Sequence, residues 1–184
     1  MLSDFQTKKF TKHFNLRDIN KNGYVELADY EQYTQNVAQL AGWTEDSPRY
    51  AHMKQVHNDV WQFFWLPADS DGDGKVTLEE HLGMMAALVA RSSEPAVLES
   101  SKQHSDALFQ AFDFDGDGQI SADEHRMFLQ AAGVKPSEAN EVFVALDTDH
   151  DGCLSKDEFA DHHWHFFTGD DQASPSKGFY GPLA

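Results

Sequence analysis

Four twelve-residue stretches of this chain carry oxygen-bearing side chains at alternate positions. Asp69, Asp71 and Asp73 alternate along one and Glu80 closes it, and the same pattern recurs in Asp113, Asp115, Asp117 and Glu124 and in Asp147, Asp149, Asp151 and Glu158. The copy nearest the start is Asp18, Asn20, Asn22 and Asp29. Carboxylates this close repel one another unless a cation joins them. An all-oxygen donor set selects a hard cation, and calcium takes six to eight such oxygens. Each stretch has glycine at its sixth position (Gly23, Gly74, Gly118, Gly152), where the chain must turn through a conformation that costs other residues more. The seventh residue is asked only for its backbone carbonyl, so Tyr24, Lys75, Gln119 and Cys153 are ligands whatever their side chains. The twelfth residue supplies a bidentate carboxylate.

Charge supports the reading. The formal net charge is −17, from 31 acidic and 14 basic residues; the four stretches hold 18 of those acids and 3 of those bases, a net of −15. The remainder is close to neutral, so the imbalance marks local anionic sites rather than an acidic surface. Such a chain repels nucleic acid and anionic membranes. The first stretch is the least charged, and aspartate at its twelfth position is one methylene shorter than glutamate. Asp29 is therefore expected to offer one oxygen more readily than two, giving a six-coordinate site that magnesium tolerates. Up to four calcium ions are expected, with magnesium competing at the first site.

These loops need helices on both sides to hold them. Phe5, Phe10 and Phe14 precede the first at near-helical spacing, as Leu108, Phe109 and Phe112 precede the third. Amphipathic stretches follow each loop, over Leu27 to Leu40, Leu78 to Val89, Ala122 to Leu129 and Lys156 to Phe167. Gly42 and Pro48 punctuate the first spacer, and a separate helix is predicted from Pro48 to Leu66. The result is helix-loop-helix four times, the EF-hand pattern, in an all-α fold. Aliphatic residues at the eighth loop positions, Val25, Val76, Ile120 and Leu154, suit short β-bridges that pair the first loop with the second and the third with the fourth. The predicted organisation is an N-terminal pair over residues 1–91, a C-terminal pair over 92–167, and a tail over 168–184 that docks its apolar tip, all in one compact globule.

With the loops placed, the chain resembles the sarcoplasmic calcium-binding proteins, an EF-hand family that includes the calexcitin and calerythrin types. The resemblance rests on Leu2-Ser3-Asp4-Phe5-Gln6, on Asp29, on the wide spacer containing Asp59-Val60-Trp61, and on Gly178-Phe179-Tyr180-Gly181-Pro182-Leu183. It implies an intracellular calcium buffer or a calcium-triggered signalling protein that binds a target. A departure is that all four loops keep plausible ligands, where many members have lost one. The aromatic content and the Phe179-Tyr180-Gly181 tail also look like the coelenterazine-binding proteins and calcium-regulated photoproteins, which implies a luciferin carrier as a further alternative.

His162, His163 and His165 beside Trp164 are read as packing histidines rather than a zinc site, since no carboxylate or cysteine set completes one. A lone cysteine excludes an internal disulfide and suits a reducing, cytoplasmic setting. The chain shows no apolar run long enough for a membrane anchor, and no phosphate loop, nucleophile elbow or zinc-hydrolase helix of an enzyme. A monomer is expected.

Overall fold

The computed structural model describes residues 1–183. Eight α-helices run in order: α1 (Asp4–Arg17), α2 (Leu27–Ala41), α3 (Pro48–Val60), α4 (Leu78–Ala90), α5 (Pro95–Phe112), α6 (Ala122–Ala131), α7 (Pro136–Leu146) and α8 (Lys156–Thr168). Their starts are written locally. Ser3, Ser47, Thr77, Ser121 and Ser155 cap helices with a side-chain oxygen, and Pro48, Pro95 and Pro136 occupy first turns where a missing N–H costs nothing. Gly42 ends α2 in the left-handed region.

Each loop ends in a two-residue strand: β1 (Val25–Glu26), β2 (Lys75–Val76), β3 (Ile120–Ser121) and β4 (Cys153–Leu154). β1 pairs antiparallel with β2 in the register Val25 to Val76, and β3 pairs with β4 in the register Ile120 to Leu154. The four eighth-position residues are fully buried, so each bridge also pins its loops to the core. The predicted all-α fold with paired loops is what the structure has.

The helix from Pro48 departs from expectation. After Val60 the chain widens into a π-turn over Trp61–Trp65, closed by Leu66 N–H donating to the Trp61 carbonyl, then tightens into a 3₁₀ turn over Leu66–Ala68. Pro67 explains the change: it has no N–H, and its ring would crowd the carbonyl four residues back in a regular helix. The wider turn buries both Trp61 and Trp65 and leaves Phe63 79% exposed.

The two halves share one core. α2 packs on α6, α3 on α5 and α4 on α8. Tyr33 Oη donates to the Phe128 carbonyl at 2.7 Å and Asn36 Nδ2 to that of Ala131 at 3.0 Å, tying α2 to α6. The tail turns back through Pro175–Gly178 and buries Phe179 and Tyr180, with Phe179 5.0 Å from Phe159 and Tyr180 4.9 Å from Phe166 between ring centres. Arg17, at the end of α1, is 5% exposed. No carboxylate pairs with it among the described residues; its guanidinium instead lies 5.1 Å from the Tyr33 ring, 5.6 Å from Phe128 and 5.1 Å from Tyr180. Desolvating a cation costs several kcal/mol, and three cation–π contacts at up to about 2 kcal/mol each are of the size to offset it.

Candidate metal centres

All four loops share one hydrogen-bonding plan. The first aspartate draws in the turn at the sixth position: Asp18, Asp69, Asp113 and Asp147 accept from the N–H groups of Gly23, Gly74, Gly118 and Gly152 at 2.9 to 3.1 Å. Those glycines have φ between +82° and +91°, the region that favours glycine. The fourth position is also left-handed in every loop, at Lys21, Gly72, Gly116 and His150.

The last carboxylate spans the loop. Glu80 accepts from Ser70 N–H at 2.9 Å with one oxygen and Thr77 N–H at 2.8 Å with the other; Glu124 does the same with Phe114 and Ser121, and Glu158 with Thr148 and Ser155. Asp29 reaches the equivalent groups, Ile19 N–H at 2.9 Å and Glu26 N–H at 3.0 Å, despite its shorter side chain. It manages this by sitting deeper, at 1% exposure, and that burial raises its pKa. Two further ligand-holding side chains were legible in the sequence but not singled out by the ligand pattern. Ser70 Oγ and Thr148 Oγ1 each donate at 2.9 Å to the closing glutamate of their loop, whereas Ile19 and Phe114 occupy this second position in the first and third loops. Backbone N–H groups of Thr77 and Ser70 hold the Glu80 carboxyl down to about 2. Burial works against the charge on Glu158, yet the N–H and hydroxyl of Ser155 with those of Thr148 bring it to about 2 as well.

Ligand oxygens of Asp69, Asp71 and Asp73 lie within 4.8 Å of one another, as do those of Asp113, Asp115 and Glu124, and of Asp147, Asp149 and Glu158. Asp117 and Asp151 lie in the same turns, their carboxylates accepting from Gln119 N–H at 2.8 Å and Cys153 N–H at 2.9 Å. The first loop has only the carboxylates of Asp18, Glu26 and Asp29; Asn20 and Asn22 complete its oxygen set, and Asn22 Nδ2 donates to Glu26 Oε1 at 2.6 Å. Lys75 and Cys153 open β2 and β4, while Tyr24 and Gln119 directly precede β1 and β3. An oxygen-only donor set around tight glycine turns fits a hard divalent cation.

The C-terminal histidines form no metal cluster with acids or cysteine among the described residues. His162 is held by Ser176 Oγ at 2.8 Å and the Leu146 carbonyl at 2.9 Å, His163 is buried, and His165 meets Asp161 at 3.2 Å. Among the described residues no helix is long and apolar enough to cross a membrane.

Known proteins resemble this chain in sequence and in fold. Residues 102–162 match the EF-hand domain pair. The chain is 27% identical over 158 residues to calerythrin of Saccharopolyspora erythraea, covering 86% of this chain and 89% of that protein. It is 26% identical over 172 residues to the sarcoplasmic calcium-binding protein of Scylla paramamosain, covering 90% and 89%. The calcium-loaded apo form of the coelenterazine-binding protein from Renilla muelleri superposes with a TM-score of 0.83 at 22% identity, covering 99% of this chain and 100% of that one, a likeness of fold.

Proposed function

We propose that this non-enzymatic EF-hand protein, of the sarcoplasmic and calerythrin type, is a cytosolic calcium buffer with four sites, the first shared with magnesium. The observation that carries the buffering role is the seating of Phe179 and Tyr180 in the core. A sensor needs an apolar groove that calcium opens to a target helix. Here the chain's own tail supplies aromatic rings to that interior, and Met53 and Met85, which could line an adaptable groove, are buried at 2% and 0% exposure. Buffering follows from charge: four divalent ions contribute +8 against a formal −17 and relieve the repulsion within the loops. An environment-sensitive apolar dye separates buffer from calcium-triggered signalling protein. Little change in its fluorescence when calcium is added to the magnesium form is expected, and a large rise would overturn the buffer in favour of the signalling protein. Calorimetric calcium titration, with and without millimolar magnesium, is expected to count four sites, one of which yields to magnesium.

A second reading is favoured by a cavity of about 780 Å³ between α3 with its π-turn, α4, α5 and α8. Phe64, Met84 and Leu88 line it together with His104, which stacks 4.5 Å from Phe64, and His163, whose two ring nitrogens have no protein partner among the described residues. An apolar lining with a few polar groups is the pattern of a small-molecule site. With the fold likeness to the Renilla protein, it supports a luciferin of the coelenterazine class as ligand. Titrating coelenterazine against tryptophan fluorescence tests this, Trp65 lying 5.6 Å from Phe64; unaltered emission would exclude it.

A further inference from the structure

The C-terminal segment is clasped along the whole length of α1. Ser3 Oγ donates to Asp170 at 2.5 Å, Lys9 Nζ to the Gly169 carbonyl at 2.8 Å, and Lys12 Nζ to the Pro182 carbonyl. The His13 ring lies 4.5 Å from that of Tyr180, and Arg17 lies over the same tyrosine. The last of these contacts lies close in sequence to the first and third loops. Arg17 is bonded to Asp18, the first ligand of its loop. Tyr33, whose ring also meets the guanidinium, stands one helical turn beyond Asp29, the last ligand of that loop. Phe128, the third ring around it, stands one turn beyond Glu124 in the same way. Asp29 ties the start of α2 to the loop residues that directly follow α1, through the N–H groups of Ile19 and Asn20. Arg17, at the end of α1, thus lies over both Tyr33 of α2 and Tyr180 of the tail.

We propose that Gly169–Leu183 is a latch whose seating on α1 is coupled, through Arg17, to metal occupancy of the loop Asp18–Asp29. A divalent ion bound by Asp18 and Asp29 fixes the distance between the end of α1 and the first turn of α2. Arg17 and Tyr33 then hold their facing positions, and Tyr180 finds a rigid surface. When that ion leaves, nothing bridges Asp18 to Asp29, the α1–α2 angle loosens, the guanidinium loses its ordered seat, and the tail exchanges more freely. Magnesium at this loop would keep the latch closed while the other loops fill and empty with calcium. The inference rests on the reading of the first loop as a metal site.

Hydrogen exchange of the tail in the full-length, calcium-saturated protein tests the latch, because the N–H groups of Lys177, Phe179 and Gly181 are bonded within the tail and report its order. Four proteins form a cycle: the unaltered chain, Asp29→Asn, Arg17→Met, and both together. Asp29→Asn is expected to speed tail exchange by on the order of tenfold, within the range of coupling between sites. In the Arg17→Met background the same change is expected to add nothing. If Arg17→Met fails to fold, Tyr180→Leu removes the other side of the contact and must show the same non-additivity. Calorimetry on the same samples separates the two readings. Four calcium sites with a tail indifferent to Asp29→Asn, or an Asp29→Asn effect that survives loss of Arg17 or Tyr180, overturns the latch alone. Three sites in the unaltered chain would overturn both the first metal site and the latch.

Discussion

Asp29 bonds the same backbone groups as Glu80, Glu124 and Glu158 with one methylene fewer, and it does so only because α2 brings it deep enough to be 1% exposed. The short side chain leaves less freedom to swing both oxygens onto a large ion, which suits magnesium at 2.0–2.1 Å better than calcium at 2.3–2.6 Å. Asp29→Glu is therefore expected to raise the calcium-to-magnesium affinity ratio at this loop about tenfold, read by calcium titration at fixed magnesium. Because Asp29 is buried, the added methylene also has to be accommodated, and overpacking of this kind costs about 1–3 kcal/mol. The metal-free variant is thus expected to melt lower than the unaltered chain. An unchanged affinity ratio would show that coordination at this loop is not limited by the reach of Asp29.

At the scale of elements, the loops work in pairs because each pair shares a two-stranded bridge. Ile120 faces Leu154 across β3 and β4, and a glutamate follows each of them four residues later, Glu124 and Glu158. Glu124→Gln is expected to abolish tight binding in its own loop and to weaken the Asp147–Glu158 loop about tenfold, while the first pair, on the separate β1–β2 bridge, keeps its affinity. Site-resolved calcium titration checks this, and equal weakening of all four loops would refute pairwise coupling. What the sequence made legible at this scale is local. Ligands, turn glycines, helix caps and the buried eighth positions all sit within one twelve-residue window, so their spacing alone identifies them. The π-turn was missed because the apolar pattern of Trp61 and Trp65 reads as regular helix; Pro67 was the signal against it. Arg17 reads in sequence as an ordinary basic residue complementing the end of α1. Its meaning depends on Tyr33, Phe128 and Tyr180, which come together only when both halves and the tail are folded.

The whole molecule depends on keeping its interior histidines neutral. His57, His81 and His125 are 2%, 0% and 1% exposed, and burial pushes each down to about 3; burial lowers His13 and His163 as well. Among the described residues no carboxylate meets these rings in an ion pair, and Arg17 adds a further buried positive charge near His13 and His57. In the unfolded chain the same imidazoles take up protons near pH 6.5. Between pH 6.5 and 3 the unfolded state therefore binds more protons, and stability falls as pH falls. At pH 5 each of the three loses about 2 kcal/mol, together about 6 kcal/mol, against a total of about 5–15 kcal/mol for a typical domain. The loop carboxylates act in a lower window. Glu80 and Glu158, held at about 2 against 4.5 for the free group, contribute stability that is intact above pH 4.5 and lost only as pH drops towards 2. Histidine uptake thus governs the range from pH 6.5 to 5. Urea unfolding at saturating calcium is expected to show a midpoint that is flat above pH 7 and falls steeply by pH 5, with about five or six protons taken up per molecule unfolded, since burial pushes His104 down to about 3 as well. A midpoint unchanged from pH 7 to pH 5 would mean that the buried imidazoles take up protons in the folded state as readily as in the unfolded one, and the core would then have to be repacked around charged histidines.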